Sequence, residues 1–258
     1  MILNGFNLDV LDPNLNTSKT MSKRYVQMDT RKLVTALLNL KSKGQPVFEL
    51  RDIQTKKSKG GKPTAGRGIH FVKLRTTIPY ELNGELLHPE IVIKNSYDGS
   101  CPLIVLLGIF RIACSNGLIV TIKDLGNIKI RHMGTPEEVA VDVAVGFAKN
   151  LRRMVEAQEQ LASKVLSDEE MIEFAVLAAE IRWKDKFTVE ETLQLLEVAR
   201  PEDEGSNLWA VMNRVQEKLM NGGIKTAKMG RTSRKITNGS EDARINQEVW
   251  ALAMEFAN

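Results

Sequence analysis

Asn95-Ser-Tyr-Asp-Gly-Ser-Cys-Pro-Leu-Ile-Val-Leu-Leu-Gly-Ile-Phe-Arg-Ile-Ala-Cys-Ser-Asn-Gly-Leu-Ile-Val120 contains the longest apolar run of the chain, and turn formers stand at both ends. Asp98-Gly99 and Asn116-Gly117 accept positive φ readily, so each predicts a tight hairpin turn. Between them, Leu103 to Ala113 is rich in β-branched and aliphatic residues, interrupted by Gly108 and Arg111. This composition predicts one long central strand, bent at Gly108, where the missing side chain permits a bulge. A buried helix is the rival for so apolar a run, since periodicity alone does not separate the two. The flanking turns decide for the strand. Arg111 is the odd residue, because a buried unpaired guanidinium is very costly. It is expected to be structural, paired with an acid from the helical half of the chain.

Working outward, the segments Val47 to Ile53, Gly68 to Thr77 and Glu90 to Lys94 read as strands before the central one. Leu118 to Ile122 and Asn127 to Arg131 read as two more after it. Ile69, Phe71 and Leu74, interleaved with His70, Lys73 and Arg75, predict a sheet with one packed face and one basic exposed face. Further upstream, residues 1–30 are polar and read as an arm, and Asp29-Thr30 caps a short helix over 31–42 that Gly44 ends.

Past Gly134 the composition changes sharply. Thr135, Pro136 and Glu138 make a capping box that opens a long helix, about 136 to 164. Ser167-Asp-Glu-Glu opens the next helix and Thr188-Val-Glu-Glu a third, reaching Val198. A fourth spans 205–220, and the last, about 241–257, carries Trp250 as its docking anchor. Trp183 and Trp209 read as packing residues. Strands first and helices second predict an α+β fold, an antiparallel sheet backed by the long helix and followed by a helical C-terminal part. The expected divisions are an arm and short helix (1–44), a β-rich core (45–134) and a helical region (135–258) packed with that core as one unit.

The 258 residues, 43% of them hydrophobic, are ample for a globular core, and the 5% aromatic content is low. No apolar run approaches the roughly 20 residues of a membrane span. The N-terminus lacks the pattern of a secretory signal, so the expected setting is cytoplasmic, with Cys101 and Cys114 as buried free thiols. The net charge of +4 hides a marked asymmetry. From Arg51 to Arg75 there are eight Lys or Arg against one acid, and from Asn221 to Ser240 five against none. Over 136–204 the balance reverses, with 17 Asp or Glu against 8 Lys or Arg.

The catalytic inventory is thin. His70, His88 and His132 have no partner at metal-ligand spacing, and Cys101 and Cys114 form no CxxC, so no metal is expected. Gly60-Gly61-Lys62 lacks the first glycine of a Walker loop and carries Pro63 where Ser or Thr belongs. Ser100 and Ser115 have no G-x-S-x-G setting. The expectation is a non-catalytic protein without catalytic residues or cofactor.

What remains is positive charge. The loop 54–67 is long, glycine-rich and basic, and its bland reading is a solvated tip. Its functional reading is a phosphate-contacting loop in which Lys56, Lys57, Lys59, Lys62 and Arg67 supply charge and the glycines bring backbone N–H groups close. Lys73 and Arg75 continue this basic face onto the sheet. Arg231, Arg234 and Lys235, with Lys225 and Lys228, form a second, mobile basic loop expected to close over a bound strand. Only Phe71 and Tyr80 lie near these charges as stacking candidates, so backbone contact with little sequence specificity is expected.

The residues Asn95-Ser-Tyr-Asp-Gly-Ser100 and Leu107-Gly-Ile-Phe-Arg-Ile-Ala-Cys-Ser-Asn-Gly-Leu118 resemble the hallmark of a phage- and plasmid-borne family described as a domain of unknown function. That resemblance covers about 25 residues and implies a mobile-element context without an activity. The β-then-α order is also similar, in architecture only, to phage single-strand annealing proteins, which imply rings or filaments around DNA. The combined expectation is a phage- or plasmid-encoded protein that binds single-stranded DNA in recombination or replication, as a homo-oligomer and away from membranes. The alternative is a host-takeover or counter-defence protein that engages a bacterial protein through its acidic helices.

Overall fold

The computed structural model describes residues 2–3, 5–12, 28–55, 69–82, 84–97, 102–111, 117–120, 128–129, 135–228 and 230–258. The hairpin dipeptides Asp98-Gly99 and the residue Asn116, both cysteines, His132 and the loop 56–68 lie outside them. The described residues form two compact units. One draws on Met1–Tyr80, Leu86–Phe110 and Asp124–Leu151, the other on Glu81–Glu85, Arg111–Lys123 and Arg152–Asn258. The fold is α+β, an antiparallel sheet followed by a helical C-terminal part, as the sequence predicts.

The first unit is built on five strands: β1 (Phe48–Thr55), β2 (Ile69–Thr76), β3 (Glu85–Ser96), β4 (Ile104–Arg111) and β5 (Ile128–Lys129). Each pairs with its predecessor, so these five run β5-β4-β3-β2-β1 within a sheet that has seven strands among the described residues. Glu85 at the start of β3 and Arg111 at the end of β4 belong to the second unit. Strand β3 is longer than the predicted Glu90–Lys94, and its register on β2, from Arg75↔Glu90 to Ile69↔Ser96, carries it two residues past Lys94.

Side chains alternate across the pleat. Phe48 and Leu50 on β1, Val72 and Leu74 on β2, and Ile91 and Ile93 on β3 share one face, each at most 2% exposed. Burying side chains of this size contributes roughly 1.5–3 kcal/mol each. Helix α2 (Pro136–Ser163) covers this face from its first half, with the Phe147 ring edge-on to Phe48 at 5.4 Å between centroids. Helix α1 (Thr30–Leu38) lies beside β1 and buries Leu33, Val34 and Leu37.

Helix α1 stops four residues short of the predicted end. Asp29 caps its start by accepting from Lys32 N, as expected, but Asn39 already closes its C-terminus. Gly44 does not terminate the helix. It is the second residue of a hairpin turn between Lys41–Ser42 and Gln45–Pro46, where Lys43 (φ 49°) and Gly44 (φ 80°) both adopt the left-handed region that a two-residue turn requires.

The second unit holds α3 (Asp168–Trp183), α4 (Val189–Thr192), α5 (Leu208–Asn221) and α6 (Gly239–Phe256). All three predicted capping boxes exist: Thr135 with Glu138, Ser167 with Glu170, and Thr188 with Glu191. The third helix is shorter than predicted, because Leu193–Leu195 tightens into a 3-10 turn. Trp183, Trp209 and Trp250 are all buried, and Trp250 is fully enclosed in α6. Phe174 meets Phe256 edge-on at 5.3 Å, and a buried Gln216–Asn246 hydrogen bond of 2.8 Å ties α5 to α6.

Candidate nucleic-acid interface

In the first unit the predicted basic face of the sheet is only partly one. Strict alternation places Ile69, Phe71, Lys73 and Arg75 on one face of β2, and His70 on the other. His70 is 1% exposed and its Nε2 shares a 2.8 Å hydrogen bond with Thr30 Oγ1. The sequence reading grouped His70 with the exposed bases because Leu74 breaks the parity of Ile69 and Phe71. On the charged face, Arg75 Nε donates to Glu90 Oε1 at 2.8 Å, directly across the β2–β3 ladder. Burial draws the Arg75 guanidinium downward in pKa and lifts the Glu90 carboxyl, and each opposes the other's shift. Arg75 is thus committed to a buried partner. Lys73 is half-buried opposite Asp52 of β1. Phe71 is 7% exposed beneath Lys94, whose Nζ is 5.7 Å from its ring centroid, so Phe71 is a packing residue. The five loop residues Lys56, Lys57, Lys59, Lys62 and Arg67 lie outside the described residues.

Among the described residues, the second unit gathers exposed cations at one corner. The described residues of its basic loop hydrogen-bond back to α5, to α3 and to the corner after α3. Helix α5 ends at Gly222, and the returning chain bonds back through Gly223 N to Ser233 O (2.9 Å), Ser233 N to Ile224 O (2.7 Å) and Ile236 N to Met220 O (2.9 Å). Gly222 sits at φ 76°, and a Cβ there would lie 2.5 Å from Ser233 O, so only glycine permits this return. Arg182, in the last turn of α3, donates to the carbonyl oxygens of Leu219 and Arg234. Thr226 Oγ1 donates to Lys186 O at 2.7 Å, and Lys228 Nζ to Asp185 O at 2.8 Å. Glu191 uses one carboxylate oxygen for the α4 capping box and the other to accept from Ala227 N at 2.5 Å.

These bonds bring the corner after α3 against the loop. Lys184, Lys186, Lys225, Lys228, Arg231, Arg234 and Lys235 are all exposed there. Over 182–186 and 221–240 there are eight Lys or Arg against one acid, Asp185. Of the predicted residues, the structure therefore groups Arg231, Arg234 and Lys235. Sequence reasoning missed Lys184 and Lys186, which were counted within the acidic stretch 136–204. The signal that could have found them is local: Arg-Trp-Lys-Asp-Lys186 runs directly off a helix end, where exposed bases complement the dipole.

Arg111 is buried at 1% exposure within the second unit. Its Nη1 donates to Asp203 Oδ1 at 2.6 Å and its Nε to Glu85 Oε1 at 2.5 Å, with the Trp209 ring centroid 5.6 Å from its guanidinium carbon. Burial works against its charge, but Glu85 and Asp203 together hold its pKa above the ordinary guanidinium value. The predicted acid from the helical half is Asp203, and Glu85 is a second partner that the sequence did not reveal. An apolar groove of about 280 Å³ in the first unit, among Pro46, Ile78, Pro79, Tyr80, Pro89 and Phe147, presents no acid or base. Among the described residues, no three His, Cys, Asp or Glu side chains gather as a metal site, and no helix is long and apolar enough to cross a membrane.

A family model described as a domain of unknown function (DUF932) matches residues 18–250. The chain is similar to two proteins of Escherichia coli strain K12. It is 28% identical to UPF0380 protein YfjQ over 187 residues, 71% of this chain and 67% of that one. It is 27% identical to UPF0380 protein YafZ over 239 residues, 91% of this chain and 83% of that one. No solved structure matches.

Proposed function

This chain belongs to the DUF932 family, and we propose that it is a non-catalytic nucleic-acid-binding protein that holds single-stranded DNA by its phosphate backbone. The observation that carries this reading is the corner built from Lys184, Lys186, Arg231, Arg234 and Lys235, whose charges are exposed while the backbone beneath them is fixed by hydrogen bonds. A fixed cluster of this kind places positive charge without the entropic cost of ordering a free loop at the moment of binding. The basic segment 56–67 would add further phosphate contacts. Among the described residues no exposed aromatic ladder accompanies the corner, which supports binding by charge rather than base reading.

The motif around Asn95 and Leu107–Leu118 supports a phage or plasmid setting, in which strand annealing during recombination or replication is the activity proposed. The test is fluorescence anisotropy of labelled single- and double-stranded oligonucleotides at two salt concentrations. Tight single-strand binding that weakens steeply with salt is the expected result. Absence of binding at low salt overturns the reading.

A further inference from the structure

We propose that the outer stripe of helix α2 is a self-association face, on which a second copy of this chain lays the same helix antiparallel. The inner side of the helix is accounted for: Val139, Ala140, Val143, Phe147 and Met154 are buried. Glu138, Val141, Asp142, Val145, Ala148, Lys149 and Arg152 recur at spacings of three and four on the opposite side, and all are exposed. Val141 is 53% and Val145 47% exposed, two β-branched residues one turn apart that contribute neither to the core nor to helix propensity. Gly146 and Ala148 beside them keep the helix surface low, which lets another backbone approach.

Charge complementarity identifies the occupant. Along the stripe the order is acid (Glu138, Asp142), apolar centre (Val141, Val145), base (Lys149, Arg152). A two-fold axis beside Val145 sets Asp142 of each copy against Lys149 of the other and brings the two Val145 side chains together. A parallel arrangement would set acid on acid and base on base. The stripe is therefore self-complementary in the sense an isologous dimer requires. Four turns of helix on each side form a small interface, so association is concentration-dependent. This inference is independent of the nucleic-acid reading.

The test is sedimentation velocity of the full chain over a concentration series, with circular dichroism to confirm folding of each variant. A monomer–dimer shift is expected in the unaltered chain, lost in V145D and D142K and regained in D142K/K149D. V145C is expected to form a disulfide-linked dimer on mild oxidation, above the background of Cys101 and Cys114. A chain that sediments as a monomer throughout the series overturns the proposal, as does a dimer that V145D and D142K leave intact.

Discussion

Arg111 Nη1 donates to Asp203 Oδ1 at 2.6 Å across 92 residues of sequence, and both side chains are 2% exposed. A pair so enclosed is weak evidence of net stabilisation, yet breaking it on one side leaves a buried charge unpaired. Asp203→Ala is expected to lower unfolding free energy by roughly 3–5 kcal/mol. Arg111→Met, which removes the guanidinium and keeps the volume, is expected to cost less when combined with Asp203→Ala than the sum of the two single changes. Urea denaturation measures both. An additive cycle would show that the pair does not act as a unit.

Arg75 provides the counterpart in the first unit and separates structural cations from binding ones. Its Nε–Glu90 Oε1 distance is 2.8 Å, with Glu90 only 3% exposed. Arg75→Ala is expected to destabilise the chain by roughly 3 kcal/mol while the salt dependence of DNA binding by the folded fraction stays as it was. A reduced salt slope would instead make Arg75 a phosphate contact.

The basic corner is expected to behave in the opposite way. Neutralising Arg231, Arg234 and Lys235 to Gln is expected to leave the melting temperature nearly unchanged. Each lost phosphate contact should lower the slope of log affinity against log salt by about 0.7 for a single strand. Adding Lys184→Gln and Lys186→Gln should lower it further. An unchanged slope in the five-fold variant would remove this corner from the binding surface.

Gly222 tests whether the fixed backbone matters to that corner. A Cβ at Gly222 meets Ser233 O at 2.5 Å, whereas at Gly223, φ 86°, it meets nothing within 4 Å. Gly222→Ala is expected to cost more than about 1 kcal/mol and to accelerate tryptic cleavage after Arg231 and Arg234. Gly223→Asn, which suits the left-handed region, is the control and should cleave at the original rate.

Tyr97 links stability to pH. Its hydroxyl donates to Leu11 O at 2.6 Å and accepts from Thr30 N at 2.9 Å. Burial pushes the phenol well above the ordinary tyrosine range, and the hydrogen bonds with Thr30 only partly oppose this. Because the folded-state pKa is the raised one, the stability this group contributes is complete below about pH 10. It is lost as pH rises towards the folded value. Tyr97→Phe is expected to cost about 1–2 kcal/mol at neutral pH and to flatten the alkaline decline. Chemical denaturation at pH 7 and above pH 10 checks both.

Much of the fold was legible because its signals are local. Ser167 with Glu170 and Thr188 with Glu191 announce helix starts through bonds three residues long. Gly44 misled because glycine ends helices and turns hairpins by the same positive φ. Arg111 announced that it needed an acid, and only tertiary structure could say which two. The candidate site was half legible for a related reason. Arg231, Arg234 and Lys235 stand in an acid-free run, but Lys184 and Lys186 join them only through hydrogen bonds spanning about forty residues of sequence. Arg75 looked like its basic neighbours, and its partner Glu90 is set by strand register, which composition does not carry.

The pairing of each of β1 to β5 with its predecessor in the chain has a kinetic consequence. Each ladder closes a comparatively short loop, so the sheet can assemble by successive neighbouring pairings with a modest loss of chain entropy. The bonds that seat the N-terminal segment on it, Asn95 Nδ2 to Met28 O and Tyr97 Oη to Leu11 O, span 67 and 86 residues. They can form only once β2 and β3 already present His70, Asn95 and Tyr97. Docking of Leu11 and Met28–Thr30 is thus expected late in refolding, and the Thr30 amide should exchange with solvent through a local opening, ahead of those in β2 and β3.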